Sequence, residues 1–228
     1  MKTNFFFYCL AVLMVSACSK NDNTKDNPGT PENDTYINTT AGSTWSYHTI
    51  DSAGATPAIA DYTLTATSRD TSINERTYHI YDYSYGGNQY LNLSSHAYYQ
   101  YDSIPGGLGA GVFERIYLKD DAAAGTSWKQ DFSVTIPGNP LALPVTVTNT
   151  ISEKGITRTV NGTNYTDVIH VTTSISSTFI PAGLTTNINS YYAKNYGLIE
   201  NSTKVDLDFL GFTQKVNIGT KLTSAALK

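Results

Sequence analysis

The chain has 228 residues, with 15 Lys and Arg against 19 Asp and Glu, a net charge of −4. That length suits one domain with a sizeable core, and the mild acidity argues against the basic face that nucleic acid requires. The 17 tyrosines and abundant Thr, Val and Ile favour strands, and beyond Cys9 and Cys18 no thiol is left for a disulfide, a metal or nucleophilic attack.

The chain opens with Lys2 and an apolar run over residues 5–13, followed by small residues, the pattern of a secretory signal. The run is shorter than the roughly 20 apolar residues that span a bilayer. Val15-Ser16-Ala17-Cys18 resembles the bacterial lipobox, in which the chain is cut before the cysteine and the thiol takes diacylglycerol. The resemblance implies a signal peptide over residues 1–17, lipidation (palmitate among the acyl chains) at Cys18, and attachment to the cell envelope, with the outer membrane as the expected site on either face. Each buried methylene contributes about 0.8 kcal/mol, so two or three acyl chains hold firmly.

Residues 18–35 carry no large apolar side chain before Thr35 and read as a flexible tether. Residues 36–228 then form a single antiparallel β domain. Tyr78, Ile80 and Asp82 alternate with His79, Tyr81, Tyr83 and Tyr85, and Gly86-Gly87-Asn88 then turns the chain as a hairpin. Residues 105–111, rich in glycine, read as a mobile loop, since no Lys-Ser/Thr follows to make a phosphate cradle. Val145, Val147, Asn149 and Ile151 share one strand face. Asn161-Gly162 is a type I′ turn signal. Ile169, Val171, Thr173 and Ile175 make a second apolar row, and Val205, Leu207 and Phe209 a third, with Asp206 and Asp208 pointing away. One wet and one dry face fit antiparallel rather than parallel strands.

A repeat is visible. Ala41-Gly42-Ser43-Thr44-Trp45 returns as Ala124-Gly125-Thr126-Ser127-Trp128, and Tyr62-Thr63-Leu64-Thr65 meets Val145-Thr146-Val147-Thr148 at the same offset. Tyr98-Tyr99 echoes Tyr191-Tyr192 at a longer offset. The expected fold is therefore all-β: an antiparallel curved sheet, either a half-barrel or a two-sheet sandwich or barrel, built from two similar halves.

Motifs of chemistry are sparse. The histidines (His48, His79, His96, His170) show no ligand spacing, and no Gly-x-Ser-x-Gly elbow occurs. His48 and His79 read as structural residues within strands. Asp120-Asp121 reads as a solvated turn, and Asp206 and Asp208 as a wet strand face. No catalytic residue, cofactor or metal ligand is assigned, and the expectation is a protein that is not an enzyme. Tyr81, Tyr83 and Tyr85 are the candidate ligand-binding residues, because tyrosine offers flat apolar area with a polar tip. Asp51-Ser52-Ala53 and Asp102-Ser103-Ile104 match the Asp-Ser/Thr-apolar pattern of Bacteroidota O-glycosylation, making Ser52 and Ser103 candidate sites.

The lipobox, the polar tether, the Gly-x-x-Trp strand openings and Tyr191-Tyr192-Ala193-Lys194-Asn195-Tyr196-Gly197-Leu198-Ile199 together resemble uncharacterised Bacteroidota lipoproteins. Some of these are similar to the LolA/LolB-like half-barrel, a curved sheet around an apolar cavity that a helix often plugs. No plug helix is evident in this sequence. The resemblance implies a non-enzymatic role, with a hydrophobic or amphipathic ligand held in the sheet. The alternatives are a surface glycan-binding or adhesion module and a structural accessory subunit of an envelope complex.

Overall fold

The computed structural model describes residues 34–105, 110–135, 142–180, 183–209 and 211–228. The signal peptide, Cys18 and the tether before residue 34 lie outside the described residues, as do positions 106–109 of the glycine-rich loop.

Twelve strands alternate along the chain: β1 (Thr44–Asp51), β2 (Ala58–Ile73), β3 (Arg76–Tyr83), β4 (Asn88–Ser94), β5 (Ala97–Asp102), β6 (Phe113–Lys119), β7 (Ser127–Thr135), β8 (Ala142–Val160), β9 (Thr163–Ser176), β10 (Leu184–Ala193), β11 (Gly197–Phe209) and β12 (Phe212–Ala226). They form one antiparallel sheet in the order β6-β5-β4-β3-β2-β1-β12-β11-β10-β9-β8-β7, curled into a nearly closed barrel. Of the architectures left open by the sequence, the barrel is the one adopted. It consists of two six-stranded meanders, β1–β6 and β7–β12, joined where Thr44 pairs with Ala226 and Asp51 with Ile218.

The repeat maps onto these halves in part. Trp45 and Trp128 each sit second in the opening strand of a meander, and Tyr62 and Val145 both lie on second strands. The tyrosine echo does not correspond: Tyr98-Tyr99 is in β5, the fifth strand of its half, whereas Tyr191-Tyr192 is in β10, the fourth.

Local chemistry explains the elements. Val145, Val147, Asn149 and Ile151 are all buried along β8, as are Ile169, Val171, Thr173 and Ile175 along β9. Asp206 and Asp208 stay exposed on β11 beside buried Val205 and Leu207. Asn161 and Gly162 both have positive φ (48° and 82°), as a type I′ turn demands, and they close the β8–β9 hairpin. The interior holds two apolar clusters. One gathers Trp45, Tyr47, Leu64, Tyr81, Tyr98, Tyr117, Ile169 and Ile199. The other gathers Ile104, Val134, Val145, Ile175, Val205 and Leu207.

The barrel's seam lies between β6 and β7, and the backbone bridge there joins Ala110, ahead of β6, to Thr135 at the end of β7. Side chains take over the rest. The Gln130 amide accepts from Ile116 N at 2.7 Å and donates to the Glu114 carbonyl at 3.4 Å, much as a peptide unit would. Trp128 Nε1 (2.9 Å) and Asn149 Nδ2 (3.2 Å) both donate to the Ile116 carbonyl. An open edge would leave these backbone groups unpaired, a liability in any sheet.

A plug exists, though it is no helix. Residues 35–40 run into the barrel without regular secondary structure, with Tyr36, Ile37 and Asn38 buried. Tyr36 N donates to Tyr98 Oη (3.1 Å), Tyr36 Oη donates to the Asp167 carbonyl (2.8 Å), and Asn195 N donates to the Thr35 carbonyl (2.9 Å). Tyr81 Oη donates to the Asn38 carbonyl at 2.8 Å. The plug thus begins at the join between the expected tether and the expected domain.

Candidate functional site: an aromatic cavity beneath the plug

The first apolar cluster is incompletely filled. A cavity of about 90 Å³, open to solvent at its mouth, lies against the inner side of the plug. Tyr36, Ile37 and Asn38 form one wall. The opening strands contribute Trp45 and Tyr47 from β1, Tyr62 and Leu64 from β2, and Tyr81 and Tyr83 from β3. Leu91, Gln100, Tyr117, Tyr192 and Leu198 complete the lining across the barrel. These positions share one parity on each strand, so the alternation that builds the sheet also delivers the rings to the interior.

The three candidate tyrosines occupy different depths. Tyr81 is 2% exposed, packed against Trp45 (5.9 Å between rings) and the edge of His79 (5.2 Å). Tyr83 is half-buried on the cavity wall. Tyr85, just past β3, is 70% exposed and stacks on Tyr83 at 4.9 Å and 14°. The row therefore runs from core to surface rather than lying open along its length. Tyr62 joins it, edge-on to Tyr83 and Tyr85 and stacked on Tyr47 at 5.2 Å.

The lining is polar at its tyrosine hydroxyls and at Asn38, Gln89 and Gln100. Burial pushes the phenols of Tyr36 and Tyr62 up to about 12, aided at Tyr36 by the Asp167 and Asp120 charges and at Tyr62 by neighbouring Tyr85. Burial likewise drives Tyr47, Tyr81, Tyr83 and Tyr117 upward. These hydroxyls stay neutral donors through the physiological range. Trp45 Nε1, on the cavity wall, is buried with no hydrogen-bond partner.

Sequence reasoning missed two residues around this cavity. Asp120, read as part of a solvated turn, has a side chain only 14% exposed. It accepts from Tyr98 Oη at 2.6 Å and faces His96 Nδ1 at 2.7 Å, so it anchors the tyrosine that holds the plug. Arg115 points inward from β6, between Phe113 and Tyr117 on the same strand face. The run Phe113-Glu114-Arg115-Ile116-Tyr117 mixes charge and apolar residues on both parities, so no pattern marked it.

The other candidates lie away from the cavity. Each histidine faces a carboxylate: His48 with Asp61, His79 with Asp70, His96 with Asp120 and His170 with Glu153, at 2.6–2.9 Å. A carboxylate only accepts, so each Nδ1 carries the proton. His79 Nε2 is buried without a partner, so its role in the strand is only half satisfied. Among the described residues, no group of three or more His, Cys, Asp or Glu side chains is arranged to hold a metal. Ser52 is exposed just past β1, its N–H donating to the Asn217 carbonyl. Ser103 is half-buried, its N–H donating to the adjacent Asp102 carboxylate at 2.7 Å, before buried Ile104.

No protein-family model matches the chain, and no curated protein matches it. Solved structures resemble its fold. A Parabacteroides distasonis protein provisionally described as a lipoprotein superposes with a TM-score of 0.50 at 11% identity, over 84% of this chain and 98% of that one. A Bacteroides fragilis protein described as exported, with a YmcC-like fold, gives a TM-score of 0.45 at 9% identity, over 82% and 96%. At such identities the first likeness concerns the fold, and it transfers no residue role.

Proposed function

We propose that the chain is a lipid-anchored protein of the cell envelope that binds a hydrophobic or amphipathic ligand without chemical turnover. The supporting observation is the cavity beneath the plug: aromatic and aliphatic walls, hydroxyl tips, the amides of Asn38, Gln89 and Gln100, and, among the described residues, no grouping of acid, base and nucleophile along it. Envelope attachment is carried by Val15-Ser16-Ala17-Cys18. Anchor and cavity fit one another, since a carrier held at a bilayer surface meets apolar ligands at their source.

The neutral fluorophore N-phenyl-1-naphthylamine tests the binding reading on the full chain. Saturable enhancement is the expected result, abolished by Leu91→Trp, which fills the cavity from β4. Absence of saturable binding with circular dichroism unchanged overturns it. The anchor is tested separately: Cys18→Ala should move the protein from the membrane fraction to the soluble fraction. A second reading, sugar stacking, is favoured by exposed Tyr85 lying flat on Tyr83. Oligosaccharide that displaces the fluorophore in the wild type but not in Tyr85→Ala would select it.

A further inference from the structure

Inside the barrel, two buried hydrogen-bond donors lack partners among the described residues. Arg115 Nε is buried with no acceptor, and so is Trp45 Nε1 on the cavity wall. Among the described residues the Arg115 guanidinium makes one hydrogen bond, Nη2 to Gln100 Oε1 at 3.2 Å. Gln100 is its cross-strand partner and itself lines the cavity. Tyr117 and Tyr192, close enough to act on the arginine's charge, are wall residues too. Arg115 therefore stands directly behind the wall formed by Gln100, Tyr117 and Tyr192.

No carboxylate among the described residues pairs with Arg115, whereas Arg76 of β3 holds Glu114 of β6 and Arg158 of β8 holds Glu200 of β11. Asp102 contributes charge from a distance, but its carboxylate is engaged by Gln100 Nε2 (3.0 Å) and Ser103 N (2.7 Å). An isolated buried cation is costly, and natural proteins pair such charges or neutralise them. A planar guanidinium with free donors is the group best suited to grip a carboxylate or phosphate in two-pronged fashion. The walls beyond it (Leu64, Leu91, Leu198 and the tyrosine rings) suit a hydrocarbon tail.

We infer that the cavity takes an amphiphile with one oxyanion headgroup, which Arg115 receives with Gln100 positioning its guanidinium, while the tail lies along the tyrosine and leucine walls. This rests on the proposed binding function and names its ligand class. Phosphate and carboxylate headgroups share the same chemistry at this site, and both serve as probes.

The test is displacement of N-phenyl-1-naphthylamine from the full chain by dodecanoate, dodecyl phosphate, dodecanol and inorganic phosphate. The wild type should bind at least one of the two anionic amphiphiles about 10-fold more tightly than dodecanol, a difference of about 1.4 kcal/mol. Inorganic phosphate alone should not displace the probe. Arg115→Gln should bring the anionic amphiphile and dodecanol within about 2-fold of each other while keeping dodecanol affinity. Equal wild-type affinity for all three dodecyl compounds overturns the headgroup assignment and leaves the proposed function standing. Displacement by inorganic phosphate as effective as by dodecyl phosphate overturns the amphiphile. Discrimination that survives in Arg115→Gln overturns the role of Arg115. If that variant fails to fold, the wild-type comparison still decides the headgroup preference, and Arg115→Lys, which keeps the charge but not the fork, decides the residue: unchanged discrimination counts against it. Failure of the fluorophore itself to bind is the distinct outcome that removes the proposed function.

Discussion

At the scale of single residues, tyrosine does most of the work, and pH should expose it. Each buried phenol ionises above its ordinary value of 10, reaching about 12 at Tyr36 and Tyr62. The folded state therefore favours the neutral form. The stability this provides is complete below pH 10 and is lost as pH rises from 10 through 12. Phenolate absorbance should show a group of tyrosines ionising in one cooperative step that coincides with loss of the β signal in circular dichroism. Smooth titration of all 17 around pH 10 with the fold intact would contradict their burial. Asp120 belongs to the same network. Asp120→Ala leaves Tyr98 Oη and His96 without their acceptor, and should lower stability by about 1–3 kcal/mol, read as a shift in urea midpoint. A third residue effect is steric: a Cβ on Gly183 would run into the Asp208 carbonyl, whose own N–H donates to the Gly183 carbonyl at 2.8 Å. Gly183→Ala should lower the melting temperature, whereas Gly155→Ala, with open space around it but φ of 71°, tests strain without a clash.

At the scale of elements, the seam and the plug matter most. Gln130 takes the place of a missing strand partner by meeting both Ile116 N and the Glu114 carbonyl. Gln130→Leu keeps volume but removes both partners, so about 1–3 kcal/mol should be lost, and the amides of β6 should exchange faster with deuterium than those of β5. Equal protection of β6 in both proteins would show that the seam does not depend on Gln130. The plug was hard to read because its signal is two apolar residues, Tyr36 and Ile37, behind a polar stretch. Its partners Tyr98, Asp167 and Asn195 lie far along the chain. The strands were easier. Alternation is a local property, and it is plain over residues 142–151 of β8 and 203–208 of β11. In β3 the pattern was visible but not its sense, since Tyr78 and Ile80 on the outer side are buried as well as Tyr81 on the inner. Tyr78 is covered there by Glu114 (2.5 Å to its hydroxyl) and Tyr101.

At the scale of the whole molecule, neither half is self-sufficient. The first meander would expose β1 as an open edge, along with the inner faces of Trp45, Leu64 and Tyr117, which share one core cluster with residues of the other half. Tyr117 meets Tyr192 at 5.3 Å, and Tyr47 Oη donates to the Leu198 carbonyl at 2.9 Å. The full chain should therefore unfold in urea as one transition by fluorescence and by circular dichroism. A chain that stops in the β6–β7 connection should fail to yield a folded monomer. Two separate transitions would show the meanders to be independent domains.

Some properties of this protein were settled by sequence alone because they depend on neighbours in the chain. The all-β class, the antiparallel sense, the Asn161-Gly162 turn and the inward rows of β8 and β9 follow from side-chain alternation and from residues that tolerate positive φ. Others were decided only when distant segments met. The joining of β1 to β12, the seam closed by Trp128, Gln130 and Asn149, the entry of residues 35–40 and the setting of Arg115 each join groups separated by a dozen residues or more. Alternation says that a side chain faces inward but not what it will find there. That is set by closure of the barrel, which turns a face of tyrosines into a cavity and leaves the buried Nε of a half-buried arginine without an acceptor among the described residues.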